Sequence, residues 1–163
     1  ESASLQSELT DLQIQRQILE SSAEQDSLAR AAAEAELSQL EILAGTVGAR
    51  GPGVAVRVED PEGELEVGDM LDLIQELRDA GAEAIAVADQ RVGAATSFSG
   101  EAGAVTMDGT TLPSSFEILA IGDAATLEGG LAIRGGALEL LQAGASLTVA
   151  VSAQTDVEVP PLR

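Results

Sequence analysis

The chain has 163 residues, a formal net charge of −20, two Phe, and no Trp, Tyr, Cys, His or Lys, so all its cations are Arg. That composition excludes imidazole bases, Schiff-base and P-loop lysines, thiolate metal sites and disulfides, and it points to no cofactor. The charge also disfavours nucleic acid and anionic lipid, whose phosphates need cations to displace their counterions.

Residues 1–43 contain neither Gly nor Pro and are rich in Ala, Leu, Glu and Gln, which predicts one long helix. Leu5, Leu9, Leu12, Arg16 and Leu19 follow alternating four- and three-residue steps, and the count continues through Ala23, Asp26, Arg30, Ala33, Leu37 and Leu40. This is a heptad seam, strong at both ends and polar in its middle. A second apolar stripe through Ile14, Ile18, Gln25, Leu28, Ala35 and Ile42 is expected to run beside it. A helix of this length reaches about 65 Å, too far for a domain of roughly 120 residues to bury. It therefore pairs with a second copy, through Leu5, Leu9, Leu12, Leu19, Leu37 and Leu40, folds back on its own domain, or protrudes. Parallel, antiparallel and fold-back arrangements all remain open.

Residues 44–53, "AGTVGARGPG", read as a Gly/Pro linker, with a tight reversal at Gly51-Pro52-Gly53 and the folded domain spanning 54–163. Val54, Val56 and Val58 alternate with Ala55, Arg57 and Glu59, the pattern of a half-buried strand. The acidic stretch 59–69 lacks the spacing of a calcium loop and is expected to be solvated. Asp69 is expected to cap a helix carrying Met70, Leu73, Ile74 and Leu77 on one face and ending at Gly81. "AEAIAVAD" is a second strand.

Residues 92–114 predict two short strands, near 95–99 and 104–107, with a hairpin signal at Asp108-Gly109. The earlier pattern then restarts. "FEILAIGD" is a strand, and Asp123 caps a helix with Leu127 and Leu131. Gly129-Gly130 and Gly135-Gly136 are expected to break that helix, with Leu138 and Leu141 continuing to Gly144. "SLTVAVSA" is the last strand. "AGAEAIAVADQR" and "AGASLTVAVSAQ" are thus the same helix-to-strand corner used twice. The order is strand–helix–strand, hairpin, strand–helix–strand. Right-handed crossovers place both helices on one face. The expected fold is α+β, a ferredoxin-like split βαβ sandwich with an inserted β-hairpin, behind the long N-terminal coiled-coil-like helix.

"GPGVAVRVED", "DLIQELRDAGAEAIAVADQRV", "ILAIGDAATLEGGL" and "VEVPP" together resemble a family of bacterial extracytoplasmic proteins, domain of unknown function 881, which includes proteins of the YlxW and YlxX type. The resemblance runs over roughly residues 35–161. It implies an N-terminal membrane anchor ahead of this chain, a coiled-coil segment, and a domain outside the cytoplasm on a single-pass membrane protein. It also implies a link to cell division and the cell envelope, with an unidentified division or envelope protein as partner and no enzymatic activity. The family phrase that the resemblance implies, Asn, then Gly or Asp, then Gln-Arg, is here Ala88-Asp89-Gln90-Arg91, with Ala in place of the Asn.

Two places invite a ligand. Asp89, Gln90 and Arg91 follow a strand end, where Arg91 clasps a carboxylate or phosphate or else pairs with Asp89 or loop carbonyls. Asp123 marks a helix N-terminus, where its own charge competes with any anion. Two functions follow: a non-enzymatic envelope scaffold that dimerises through its helix, or a ferredoxin-like sensor of a small ligand at Arg91.

Overall fold

The computed structural model describes residues 2–144 and 146–162, with the backbone alone for residues 2–10, Leu43 and Gly144. The chain separates into two compact units, Glu1–Glu41 and Ile42–Arg163.

The first unit is nearly all of helix α1 (Ser2–Ala44). Good helix formers and two i,i+4 ion pairs support it, Arg16–Glu20 at 3.1 Å and Arg30–Glu34 at 3.0 Å. Its last residues, 42–44, belong to the second unit, and Gly45 ends it at φ +74°, donating its N–H to the Ile42 carbonyl at 3.1 Å. Residues 11–40 are exposed throughout. The side-by-side stripes need correcting. Leu12 and Ile14 are two steps of about 100° apart on a helix of 3.6 residues per turn, so the second stripe faces away from the first.

The second unit runs β1 (Ala49–Glu59), α2 (Val67–Asp79), β2 (Ala84–Val87), β3 (Gln90–Arg91), β4 (Phe98–Ser99), β5 (Thr106–Met107), β6 (Thr110–Thr111), β7 (Ser115–Ile121), α3 (Ala124–Leu131), α4 (Ala137–Gly144) and β8 (Thr148–Val159). It is α+β. Its main sheet has the order β3-β2-β7-β1-β8 with every neighbouring pair antiparallel. β7 therefore inserts between the two strands joined by α2, and β1 inserts between the two joined by α3 and α4. The predicted hairpin insert is a second sheet of three strands, β4-β5-β6, with Asp108 and Gly109 both at positive φ in the β5–β6 turn.

One face of the main sheet carries the core. Val54, Val56, Val58, Ile85, Val87 and Ile118 pack with Met70, Leu73 and Leu77 of α2 and with Leu127 and Leu131 of α3. Each such side chain contributes about 1.5–3 kcal/mol by leaving water. On the other face Ala49, Val157 and Val159 cover Ala84, Ala86 and Ile121.

Local chemistry departs from expectation at four points. Gly51-Pro52-Gly53 makes no reversal and lies inside β1. The Pro52 carbonyl accepts the Gly122 N–H at 2.9 Å, Gly53 leaves no room for a Cβ against the Ala120 carbonyl, and a bulge sets Thr155 and Asp156 of β8 against Pro52 alone. The cap of α2 is Glu66, and Asp69 serves inside the first turn by accepting the Glu66 N–H at 2.9 Å. Gly129 and Gly130 do not break a helix but lie within α3, and the interruption falls at residues 132–136. The acidic stretch is not wholly solvated, because Asp60 is buried and accepts the N–H groups of Glu64 and Leu65 at 2.8 and 3.1 Å.

Other signals hold. Gly81, at φ +92°, closes α2 by donating to the Arg78 carbonyl while the Ala82 N–H reaches Leu77, a Schellman closure. Asp123 caps α3, its carboxylate accepting the Thr126 N–H at 2.9 Å.

Candidate functional site

The β2–β3 hairpin positions Arg91. Val87 pairs with Gln90, and the turn residues between them, Ala88 and Asp89, both sit at positive φ, 46° and 63°. Two left-handed residues in a two-residue loop make a type I′ turn, whose twist matches its strands. The turn presents Asp89 to solvent, leaves Gln90 half-buried, and points Arg91 into the interior, where it is 8% exposed.

Inside, the guanidinium meets main chain. Arg91 Nη2–H donates to the Ile42 carbonyl at 2.8 Å and Nη1–H donates to the Val47 carbonyl at 3.0 Å. The Ile42 carbonyl belongs to the last turn of α1, where carbonyls lack helical partners and the helix dipole is negative. Burial lowers the pKa of Arg91 from its ordinary value, yet it stays a cation, since arginine is always charged in proteins. No ion pair joins Arg91 to Asp89 or to another acid among the described residues.

The C-terminal segment closes over the same corner. Leu162 N–H donates to the Gly45 carbonyl at 2.7 Å, and the Leu162 side chain lies where a Cβ on Gly45 or Gly93 would sit. Beside it opens a cleft of about 740 Å³ bordered by Arg78, Glu83, Arg91, Gly93 and Leu162. Arg78 likewise forms no ion pair among the described residues. Arg78 and Leu162 are members of this corner that sequence reading misses. No local motif marks either, because a hairpin and a chain end brought from far apart create the corner.

Asp123 lies elsewhere, exposed at the start of α3, and borders neither cleft that Arg91 borders. Hydrogen bonds from the Thr126 side chain and then its N–H hold the Asp123 carboxyl below the usual carboxylate range. Both bonds end on Oδ1, so that oxygen is committed to capping.

The seam residues of α1 form the second candidate surface. Leu12, Leu19, Leu37 and Leu40 are 58%, 70%, 56% and 56% exposed, and Leu5 and Leu9 lie outside the residues whose side chains are described. The stripe on the opposite side is exposed as well, with Ile14, Ile18 and Leu28 at 51%, 60% and 72%, so α1 shows large aliphatic side chains to solvent on two faces. No described helix is long and apolar enough to cross a membrane.

Comparison with known proteins agrees with the resemblance. Residues 36–163 match the family described as "Bacterial protein of unknown function (DUF881)". The chain is 40% identical over 160 residues to UPF0749 protein Rv1825 of Mycobacterium tuberculosis strain H37Rv, covering 95% of this chain and 55% of that one. It is 32% identical over 128 residues to UPF0749 protein YlxW of Bacillus subtilis strain 168, covering 72% of this chain and 55% of the relative. The chain thus spans about half the length of the curated relatives it matches. A crystal structure of an uncharacterized conserved protein from Mycobacterium tuberculosis is similar, with a TM-score of 0.74 and 40% identity, covering 78% of this chain and 92% of that chain.

Proposed function

We propose, for a chain that belongs to the DUF881 family of bacterial proteins, the role of a non-catalytic scaffold on a membrane-anchored envelope protein. It acts outside the cytoplasm, pairs through α1 as a homodimer, and offers its α+β unit to a partner in cell division or cell-wall assembly. Pairing raises the effective concentration of the offered unit without any new contact. The observation that carries this reading is the exposure of Leu12, Leu19, Leu37 and Leu40 along one seam. The interleaved strand order supports a ferredoxin-like unit.

Light-scattering mass tests it. The 16.5 kDa chain is expected at twice that mass, and the double variant Leu12→Asp with Leu19→Asp at the single mass. A parent protein of single mass at micromolar concentration overturns the pairing.

The sensor reading keeps one observation in its favour: Arg78 and Arg91 border one cleft with no ion pair at either, among the described residues. Against it, Arg91 already donates to two main-chain carbonyls. A thermal-shift screen of small carboxylates and phosphates, with Arg78→Ala as control, discriminates. A shift that the control removes supports the sensor.

A further inference from the structure

The seam of α1 carries three charges, Arg16, Asp26 and Arg30, among its aliphatic positions. Arg16 and Arg30 each reach forward to an acid four residues on, Glu20 and Glu34. Arg30 therefore turns away from Asp26, and Asp26 has no cation partner among the described residues. Asp26 is the one acid on the seam.

Orientation decides what these charges meet. In a parallel pair every seam residue faces its own copy, so Arg16 faces Arg16, Asp26 faces Asp26 and Arg30 faces Arg30 across the dry centre of the interface. Each is a like-charge contact, repulsive where water is excluded. In an antiparallel pair the alternate seam positions face each other. Arg16 and Asp26 belong to the two alternate sets, since they are ten residues, three seam steps, apart.

We infer that α1 pairs antiparallel with a second copy about a two-fold axis at Ser21, setting Arg16 of each chain against Asp26 of the other. This rests on the reading of α1 as the pairing element. The same register places Leu19 opposite Ala23 and Leu12 opposite the Arg30 stem, and it confines the overlap to residues 2–40, inside the first unit. The other register that matches charges, Arg30 against Asp26, runs the overlap past Ile42 into residues of the second unit. The second stripe, Ile14, Ile18 and Leu28, has no charge to choose an orientation.

The chain has no cysteine, so single Ser21→Cys and Ser38→Cys variants each carry one spin label per chain. With the axis at Ser21, labels at position 38 stand about 50 Å apart at 1.5 Å per residue, and labels at position 21, on the outer sides of the two helices, stand within about 30 Å. A short distance at both positions means a parallel pair and overturns the inference, and so does about 30 Å at position 38, the spacing of the other register. Charge reversal gives a second readout on the full chain. Arg16→Asp and Asp26→Arg singly are expected to weaken pairing roughly tenfold, and together to restore it to within about threefold. No restoration overturns the inference, as does a pair that survives Leu12→Asp with Leu19→Asp but falls to Ile18→Asp with Leu28→Asp. A parent of single mass instead removes the pairing reading itself, which keeps the two failures distinct.

Discussion

Arg91 and Ile42 are joined by a 2.8 Å hydrogen bond from guanidinium to main-chain oxygen across 49 positions of sequence. The bond ties the β2–β3 hairpin to the end of α1, and its neighbour to Val47 ties it to the chain leading into β1. Arg91 is thus a fastener between backbone segments, satisfying carbonyls at a corner that burial cuts off from water.

Removing that fastener takes a charged donor from two carbonyls and leaves the Ile42 oxygen with the Gly45 N–H at 3.1 Å. Arg91→Met is expected to cost about 3 kcal/mol, because hydrogen bonds from a charged donor are strong. Arg91→Lys should recover only part of the loss, since one ammonium lacks the fork that spans both oxygens. Urea midpoints at an unchanged slope read both. A loss below 1 kcal/mol for the Met variant would mean that water replaces the guanidinium there.

Neighbouring glycines in α3 should respond with opposite signs. A Cβ on Gly130 would lie 2.5 Å from the Ala80 Cβ at the end of α2, whereas a Cβ on Gly129 meets nothing within 4 Å. Gly129→Ala is expected to stabilise by up to about 1 kcal/mol through helix propensity. Gly130→Ala is expected to destabilise by about 1–2 kcal/mol despite the same propensity gain, because two helices must part. Equal effects in thermal melts would refute the close approach.

The type I′ turn at Ala88-Asp89 carries a residue that resists its geometry. Left-handed backbone costs a Cβ-bearing residue about 1–2 kcal/mol, and Asn or Gly pays less. Ala88→Asn is expected to raise stability by roughly 0.5–1 kcal/mol. An Asn at position 88 would then have a backbone reason and need no ligand. An Ala88→Asn protein that melts no higher would leave the turn unexplained.

Most elements could be read from their own residues. Met70, Leu73, Ile74 and Leu77 on one helical face, Val54, Val56 and Val58 on alternate strand positions, and Asp123 at a cap are short-range patterns that tertiary contacts merely complete. Reading fails where distant backbone overrides local preference. Gly51-Pro52-Gly53 has turn chemistry, yet Gly122 and Ala120 hold it extended in a central strand. β8 continues to Val159 through a bulge at Thr155 and Asp156, and the bulge shifts its period-two pattern so that Val157 and Val159 face the opposite side from Val149. The Arg91 corner is legible by residue and invisible by role, because its acceptors are carbonyls that any sequence possesses.

Acid should loosen the second unit through two exposed carboxylates. The Arg50 side chain holds Asp156 below the usual carboxylate range, and Thr126 does the same for Asp123. Native values below unfolded ones favour the folded state at pH above the ordinary carboxylate range, and that support drains away as pH falls through the lowered native values. The urea midpoint is expected to decline as the pH falls below the ordinary carboxylate range. Asp123→Ala, lower at neutral pH, should decline less steeply. A parallel decline in parent and variant would remove Asp123 from the account.

The short run from Ala44 to Ala49 leads from α1 into β1, and β1 is bonded on both flanks, to β7 and to β8. Tension arriving through α1 therefore falls on an inner strand held by two ladders, not on an edge strand that peels one bond at a time. Arg91 adds a clasp at the point where the load enters. Load entering at Ala49 meets the β8 ladder first, at Val159, and the β7 ladder from Gly53 onward, so both must give way before β1 leaves the sheet.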